Sequence, residues 1–201
     1  MKYDSARHRR RSIRLKGYDY KAPGAYFITI CTHQRERLFG EVVDGEMQLN
    51  RLGERVHACW LQLPNHFSRL QLDAYVVMPN HIHGILMLTD PSDGDCRGDA
   101  FDHKFSGLTK TCFPNASPLR DSCNDHGDRP NGTRPGSISA IVQNFKSIST
   151  RRINQIRHTP GTPIWQRNFY EHVVRNNTSM QVIRRYIQNN PASWKNDSLH
   201  S

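Results

Sequence analysis

No stretch of this 201-residue chain is long and apolar enough to cross a bilayer, and the Met1-Lys2-Tyr3-Asp4 start lacks the apolar core of a secretory signal. Cysteine is scarce and irregularly spaced. Five residues, an odd number with no Cys-x-x-Cys pair, make no disulfide framework. The expectation is a soluble, cytoplasmic protein in a reducing compartment, with no membrane partner. Acid is also short: 18 Asp and Glu face 28 Lys and Arg, for a net charge of +10 and a pI near 9.7. That imbalance favours a polyanionic partner, nucleic acid before membrane. The length and a 36% hydrophobic content suit one domain, or one domain with an insertion.

The positive charge sits at the two ends. Residues 1–23 form an arm with eight basic residues against two acidic ones, densest at Arg9, Arg10, Arg11 and Arg14. Such a cluster neutralises phosphates without reading sequence, or stays a solvated arm that orders on binding. Residues 137–194 carry eight basic residues and one acid, Glu171. Between them lies 88–136, with six Gly, five Pro and eight Asp and no amphipathic period, which reads as a flexible insertion. Cys96, Cys112 and Cys123 fall there with His103 and His126. A zinc knuckle built on them is weaker than a plain loop with free thiols.

Elsewhere the pattern is regular. Ala25 to Thr32 reads as a strand, and Asp44-Gly45 as the turn of a hairpin between 40–43 and 46–49. Leu52, Val56, Cys59, Trp60 and Leu63 recur at helical spacing after an Asn50 cap, with His57 on the surface and Pro64 as the stop. Leu70 to Met78 and His81 to Met87 read as strands joined at Pro79-Asn80. Ile138, Ile141, Val142, Phe145 and Ile148 mark a second helix, and 164–174 an extended segment. A last helix runs from a Ser179 cap to Asn190, with a Met180, Ile183 and Ile187 stripe and Pro191 beyond.

The chemistry gathers at two places. In His81-Ile82-His83 the strand period puts both imidazoles on one face, Cα atoms roughly 6.5–7 Å apart, with Ile82, Gly84 and Leu86 turned to the core. They form two corners of a metal site, or two half-exposed polar rings. On the last helix Tyr186 and Asn190 are four apart and share a face. A tyrosine can attack a phosphodiester and conserve the bond as a phosphotyrosine. With a pKa near ~10 it needs a cation to favour the phenolate or polarise the phosphate. Mg²⁺ or Mn²⁺ held by His81, His83 and the Asn190 amide oxygen would serve; without the histidines, Tyr186 is an ordinary half-buried aromatic. Tyr170, in Asn168-Phe169-Tyr170-Glu171-His172, is the alternative nucleophile, or an aromatic platform for unpaired bases. The residues offered to DNA are Arg9, Arg10, Arg11, Arg14, Lys146, Arg151, Arg152, Arg167, Arg184 and Arg185.

Met78-Pro79-Asn80-His81-Ile82-His83-Gly84, followed by Tyr186-x-x-x-Asn190-Pro191, resembles the REP-associated tyrosine transposases, within the single-tyrosine HUH transposases of bacterial insertion sequences. Gly24-Ala25-Tyr26-Phe27-Ile28-Thr29, Phe145-Lys146-Ser147 and Trp165-Gln166-Arg167-Asn168 extend the likeness over nearly all the chain except the insertion. The resemblance implies an α+β, ferredoxin-like (RRM-like) sandwich with a central antiparallel sheet and helices on one face. The domain would span 24–194, interrupted by the flexible insertion and followed by a tail at 195–201. It implies cleavage and rejoining of single-stranded DNA beside hairpins of the repetitive extragenic palindrome type. His81 and His83 would be metal ligands, Tyr186 would form a 5′-phosphotyrosine leaving a free 3′-OH, and Asn190 stands where the wider superfamily has Gln. Such an enzyme would act as a monomer or a homodimer. Two rivals remain: a hairpin-binding protein that never cuts, and a zinc-containing regulator.

Overall fold

The computed structural model describes residues 18–90 and 134–200. Arg9, Arg10, Arg11 and Arg14 of the N-terminal arm, and Cys96, His103, Cys112, Cys123 and His126, lie outside them.

The elements follow in the order β1 (Gly24–Cys31), β2 (Gly40–Val43), β3 (Glu46–Leu49), α1 (Arg51–Leu61), β4 (Leu70–Met78), β5 (His81–Leu88), α2 (Ile138–Arg157), β6 (Tyr170–Val174) and α3 (Asn177–Asn189). Four strands form one antiparallel sheet in the spatial order β4-β5-β1-β6, and β2 and β3 form a separate hairpin. Its turn uses Asp44 and Gly45 with φ of 52° and 81°, the left-handed pair that matches strand twist in a two-residue hairpin. Asn50 caps α1, its side chain accepting from the Leu52 and Gly53 N–H groups at 2.9 and 3.0 Å.

The period of two in β1 and β5 divides their side chains between two cores. Tyr26, Ile28, Ile30, Ile82 and Leu86 face one way and meet Val56, Cys59 and Trp60 of α1 and Ile138, Ile141, Val142 and Phe145 of α2. Each such aliphatic or aromatic side chain contributes about 1.5–3 kcal/mol when fully buried. Phe27 and Ile85 face the other way, under Met180, Ile183 and Ile187 of α3. So α1 and α2 share one face, as expected, while α3 crosses to the other, where its apolar stripe covers Phe27 and Ile85. β5 is consequently buried from both sides, and His81 and His83 on it are 0% and 2% exposed.

Two local details differ from the sequence reading. The cap of α3 is Asn176, whose Oδ1 accepts from the Ser179 N–H at 2.8 Å, so Ser179 lies inside the first turn. His57 is half-buried against β4 and shares a 2.7 Å hydrogen bond with the Tyr75 hydroxyl.

Gly84, next to His83, holds the layers at their spacing. A Cβ there would run into the Trp60 indole of α1, which is wholly buried. Gly84→Ala is therefore expected to destabilise the protein by about 1–3 kcal/mol through overpacking, read from urea unfolding midpoints. An unchanged midpoint would show that α1 can retreat from the sheet without cost.

Candidate functional site

The site lies on the α3 face of the sheet. It begins at the Pro79-Asn80 turn, which the Thr32 N–H grips by donating to the Asn80 carbonyl at 2.8 Å and the Phe39 N–H by donating to the Pro79 carbonyl at 3.1 Å. The Asn80 Nδ2 donates to the Leu199 carbonyl at 2.8 Å, which leaves its Oδ1 to accept from His81 Nδ1 at 2.8 Å. Nδ1 therefore carries the proton, and His81 Nε2 is a bare lone pair, buried and without a hydrogen-bond partner. His83 is oriented by a neighbour on β1: its Nδ1 shares a 2.8 Å hydrogen bond with the Thr29 hydroxyl. The two rings lie 4.4 Å apart between centroids.

From the far end of the chain, α3 brings Tyr186 to within 3.2 Å of His83 Nε2 through its hydroxyl. Phe27 packs beneath both, 5.5 Å from the His83 ring and 6.1 Å from the Tyr186 ring. Asn190, one turn on, caps α3 and is 2% exposed. Its Nδ2 donates to Asp197 Oδ2 at 2.9 Å, so its Oδ1 points away from that carboxylate, buried and with no hydrogen-bond partner. The structure thus brings His81, His83, Tyr186 and Asn190 to one place.

Asp197 is the residue that sequence reasoning missed. One ligand atom from each of His81, His83 and Asp197 falls within 4.8 Å of the others. Nothing in the aperiodic Ser193-Trp194-Lys195-Asn196-Asp197 run signals that it folds back over β5.

Burial dominates the proton affinities. It pulls the His81 pKa down to about 4, against the attraction of Asp197, and holds His83 well below the ordinary value. Both rings are neutral at physiological pH, the form that can ligate a metal. Burial also raises the Tyr186 pKa, helped by Asp197 and opposed by the Asn190 amide. A phenol so placed is a poorer nucleophile than a free one until a positive charge enters the site.

The fit to a divalent cation follows from the unpartnered atoms. His81 Nε2 and Asn190 Oδ1 are two buried acceptors with no donor, and each costs about 1–3 kcal/mol while unsatisfied. Two imidazole nitrogens with an amide oxygen suit Mn²⁺, and Mg²⁺ with retained waters.

Tyr170 begins β6 on the same face, 41% exposed, its ring edge-on to Phe27 at 6.1 Å and not at the histidines. The basic residues divide. The Lys146 ammonium donates to the carbonyls of Gln166, Arg167 and Asn168 at 2.9, 3.4 and 3.0 Å, and burial lowers its pKa to about 8. Arg152 donates to Gln62 Oε1 at 2.9 Å, and Arg184 forms a two-pronged pair with Asp73 at 2.6 and 2.8 Å. These three brace the fold. Arg151, Arg167 and Arg185 are exposed, and the first two line a broad groove of about 850 Å³ between α2 and the 158–167 segment.

Comparison with known proteins decides the family. The model of the IS200-like transposases matches residues 132–190, and a protein of Haemophilus influenzae, itself uncharacterized, is 37% identical over 99% of this chain and 97% of its own length. The chain belongs to the IS200-like transposases. That membership gives it a transposase role on DNA. The structure of a REP-associated tyrosine transposase bound to a REP hairpin shares the fold, with a TM-score of 0.51 and 15% identity over 90% of this chain and 74% of that one. Among the described residues of this IS200-like protein, no helix is long and apolar enough to cross a membrane.

A pH dependence follows from the two neutral histidines. With the folded pKa of His81 near 4 and the unfolded value near 6.5, the unfolded chain binds more protons between those limits. Stability is then full above about pH 6.5 and falls as pH drops toward 4, by up to about 3 kcal/mol from His81 alone. Denaturant unfolding of metal-free protein from pH 7 to 4 reads this directly. His81→Gln should flatten the curve, and an equal slope in the variant would mean that His81 does not set it.

Proposed function

We propose that this transposase cleaves and rejoins single-stranded DNA beside hairpins of the REP type, using Tyr186 as nucleophile and a divalent cation, Mg²⁺ or Mn²⁺. The observation that carries the reading is the meeting of the Tyr186 hydroxyl with His83, 3.2 Å apart across 103 residues of sequence, beside unpartnered acceptors on His81 and Asn190. A hairpin binder that never cuts needs none of these. The solved neighbour bound to a REP hairpin supports the choice of substrate.

The phenol oxygen of Tyr186 attacks phosphorus, forming a Tyr–O–P bond as the bond to the 3′ oxygen breaks. The strand 3′ of the nick stays on the enzyme through its 5′ phosphate, as a phosphotyrosine, and the departing 3′ oxygen takes up a proton to become a free 3′-OH. At 45% exposure Tyr186 can lose its own proton to water. Rejoining reverses the sequence with another 3′-OH, so the energy of the phosphodiester is kept. His81, His83 and Asn190 would hold the cation, which supplies the charge that polarises the phosphate and favours the phenolate. Phe27 fixes the height of the tyrosine ring above the sheet. Arg151, Arg167 and Arg185, with the N-terminal arginines, would track the DNA backbone. Tyr170, exposed on the same face, would offer its ring to an unpaired base.

Labelled single-stranded hairpins from the gene's own flanks test the chemistry, incubated with Mg²⁺, Mn²⁺ or EDTA. Wild type should give a metal-dependent covalent adduct that Tyr186→Phe reduces on the order of 10³-fold or more, while Tyr170→Phe retains it. An adduct lost only in Tyr170→Phe would move the nucleophile to β6. Binding without cleavage in any metal would establish the silent binder instead. The backbone contacts have a separate readout. Arg151→Ala and Arg167→Ala should each lower the slope of log K against log salt by about 0.7 for single-stranded DNA, and an unchanged slope would take the DNA off that groove.

A further inference from the structure

The cation site built from His81, His83 and Asn190 has two neutral rings and a neutral amide, and no negative charge. A dication shut among neutral groups, away from water, keeps most of its desolvation cost. The structure places one carboxylate in reach, and from an unexpected quarter. After α3 the chain turns through Pro191 and a short 3-10 turn at Trp194–Asn196, then runs back across the start of β5. Trp194 is buried with its ring 5.9 Å from that of His81, and the Arg37 guanidinium lies 5.8 Å from the indole centroid. Asn80 Nδ2 donates to the Leu199 carbonyl at 2.8 Å, and Arg35 to the Ser198 carbonyl at 3.1 Å.

These contacts deliver Asp197 to the histidines in a fixed pose. Its Oδ1 accepts from the Leu199 N–H at 2.7 Å and its Oδ2 from Asn190 Nδ2 at 2.9 Å. Each oxygen keeps a second lone pair. Because a carboxylate can only accept, it takes the NH₂ end of the Asn190 amide and directs the carbonyl end away from itself. One group thus does two jobs. We infer that Asp197 is an anionic ligand of the divalent cation held by His81 and His83, supplied by the C-terminal tail, and that it also sets the orientation of Asn190. This rests on the metal-dependent reading above. It has a corollary for assembly: the donor set is complete only when the tail is docked against Asn80.

The experiment uses the full chain and two probes that do not depend on DNA cleavage. In Mn²⁺ titrations followed by electron paramagnetic resonance, Asp197→Asn should weaken binding about tenfold or more, while His81→Ala abolishes it. In Co²⁺ titrations, Asp197→Cys in a Cys31→Ser background should give a thiolate-to-cobalt charge-transfer band in the near ultraviolet. The Cys31→Ser parent should lack it. Appearance of that band together with the weakened Mn²⁺ binding supports ligation. Weaker Mn²⁺ binding with no band would reduce Asp197 to an anchor for the tail and overturn the inference. Unchanged Mn²⁺ affinity in Asp197→Asn would overturn it while leaving the histidine site intact. If wild type binds no Mn²⁺, the metal-dependent reading fails and the inference with it.

Discussion

Two imidazoles enclosed on a central strand, both uncharged, set the terms for everything packed against them. Neither ring can be wetted and neither can take up a second proton at neutral pH without straining the fold, so each needs a neighbour that holds it by a hydrogen bond. Thr29 and Asn80 supply those neighbours from an adjacent strand and a tight turn. Once the Nδ1 atom of His81 is committed to Asn80, its other nitrogen must look inward, where no donor of the protein meets it. The arrangement is therefore a deficit of donors held open by the surrounding structure, and a cation is the kind of partner that removes such a deficit.

The sheet supports this by being covered twice. Were α3 on the same side as α1 and α2, the histidine face would be wet, the rings would titrate near their ordinary range, and Tyr186 would lie far from them. Instead Ile187 and its neighbours seal the second core, and the tyrosine comes down beside His83 as part of that seal. The pair between Arg184 and Asp73 pins the same helix to β4, at the irregularity between Leu72 and Tyr75. Packing and the proposed chemistry thus use one helix, and no separate element is needed to bring Tyr186 to the histidines.

Much of this was readable in the residues. A period of two placed His81 and His83 together, a spacing of four placed Tyr186 with Asn190, and the caps and turns at Asn50 and Asp44-Gly45 follow from local side-chain chemistry. What was not readable depends on tertiary placement. Charge alone could not say that Lys146, Arg152 and Arg184 turn onto the protein's own oxygens while Arg151, Arg167 and Arg185 stay in solvent. Both Asn176 and Ser179 can cap a helix, and the chain uses the earlier one. Asp197 follows a proline in an irregular run, and its placement comes from its own bond to Asn190 and from the anchoring of Leu199 on Asn80, far back in the chain, which no local pattern records.

The meeting of Gly84 with Trp60 ties the reactive face to the opposite one. The indole bears on the backbone of β5 from beneath, one residue from His83. The height and tilt of the imidazoles are thus referenced to a helix that carries none of the chemistry. Changes that disable the proposed activity should accordingly form two maps, one around the tyrosine and a second, mirror-side patch on α1, and a search confined to the histidine face would overlook the second.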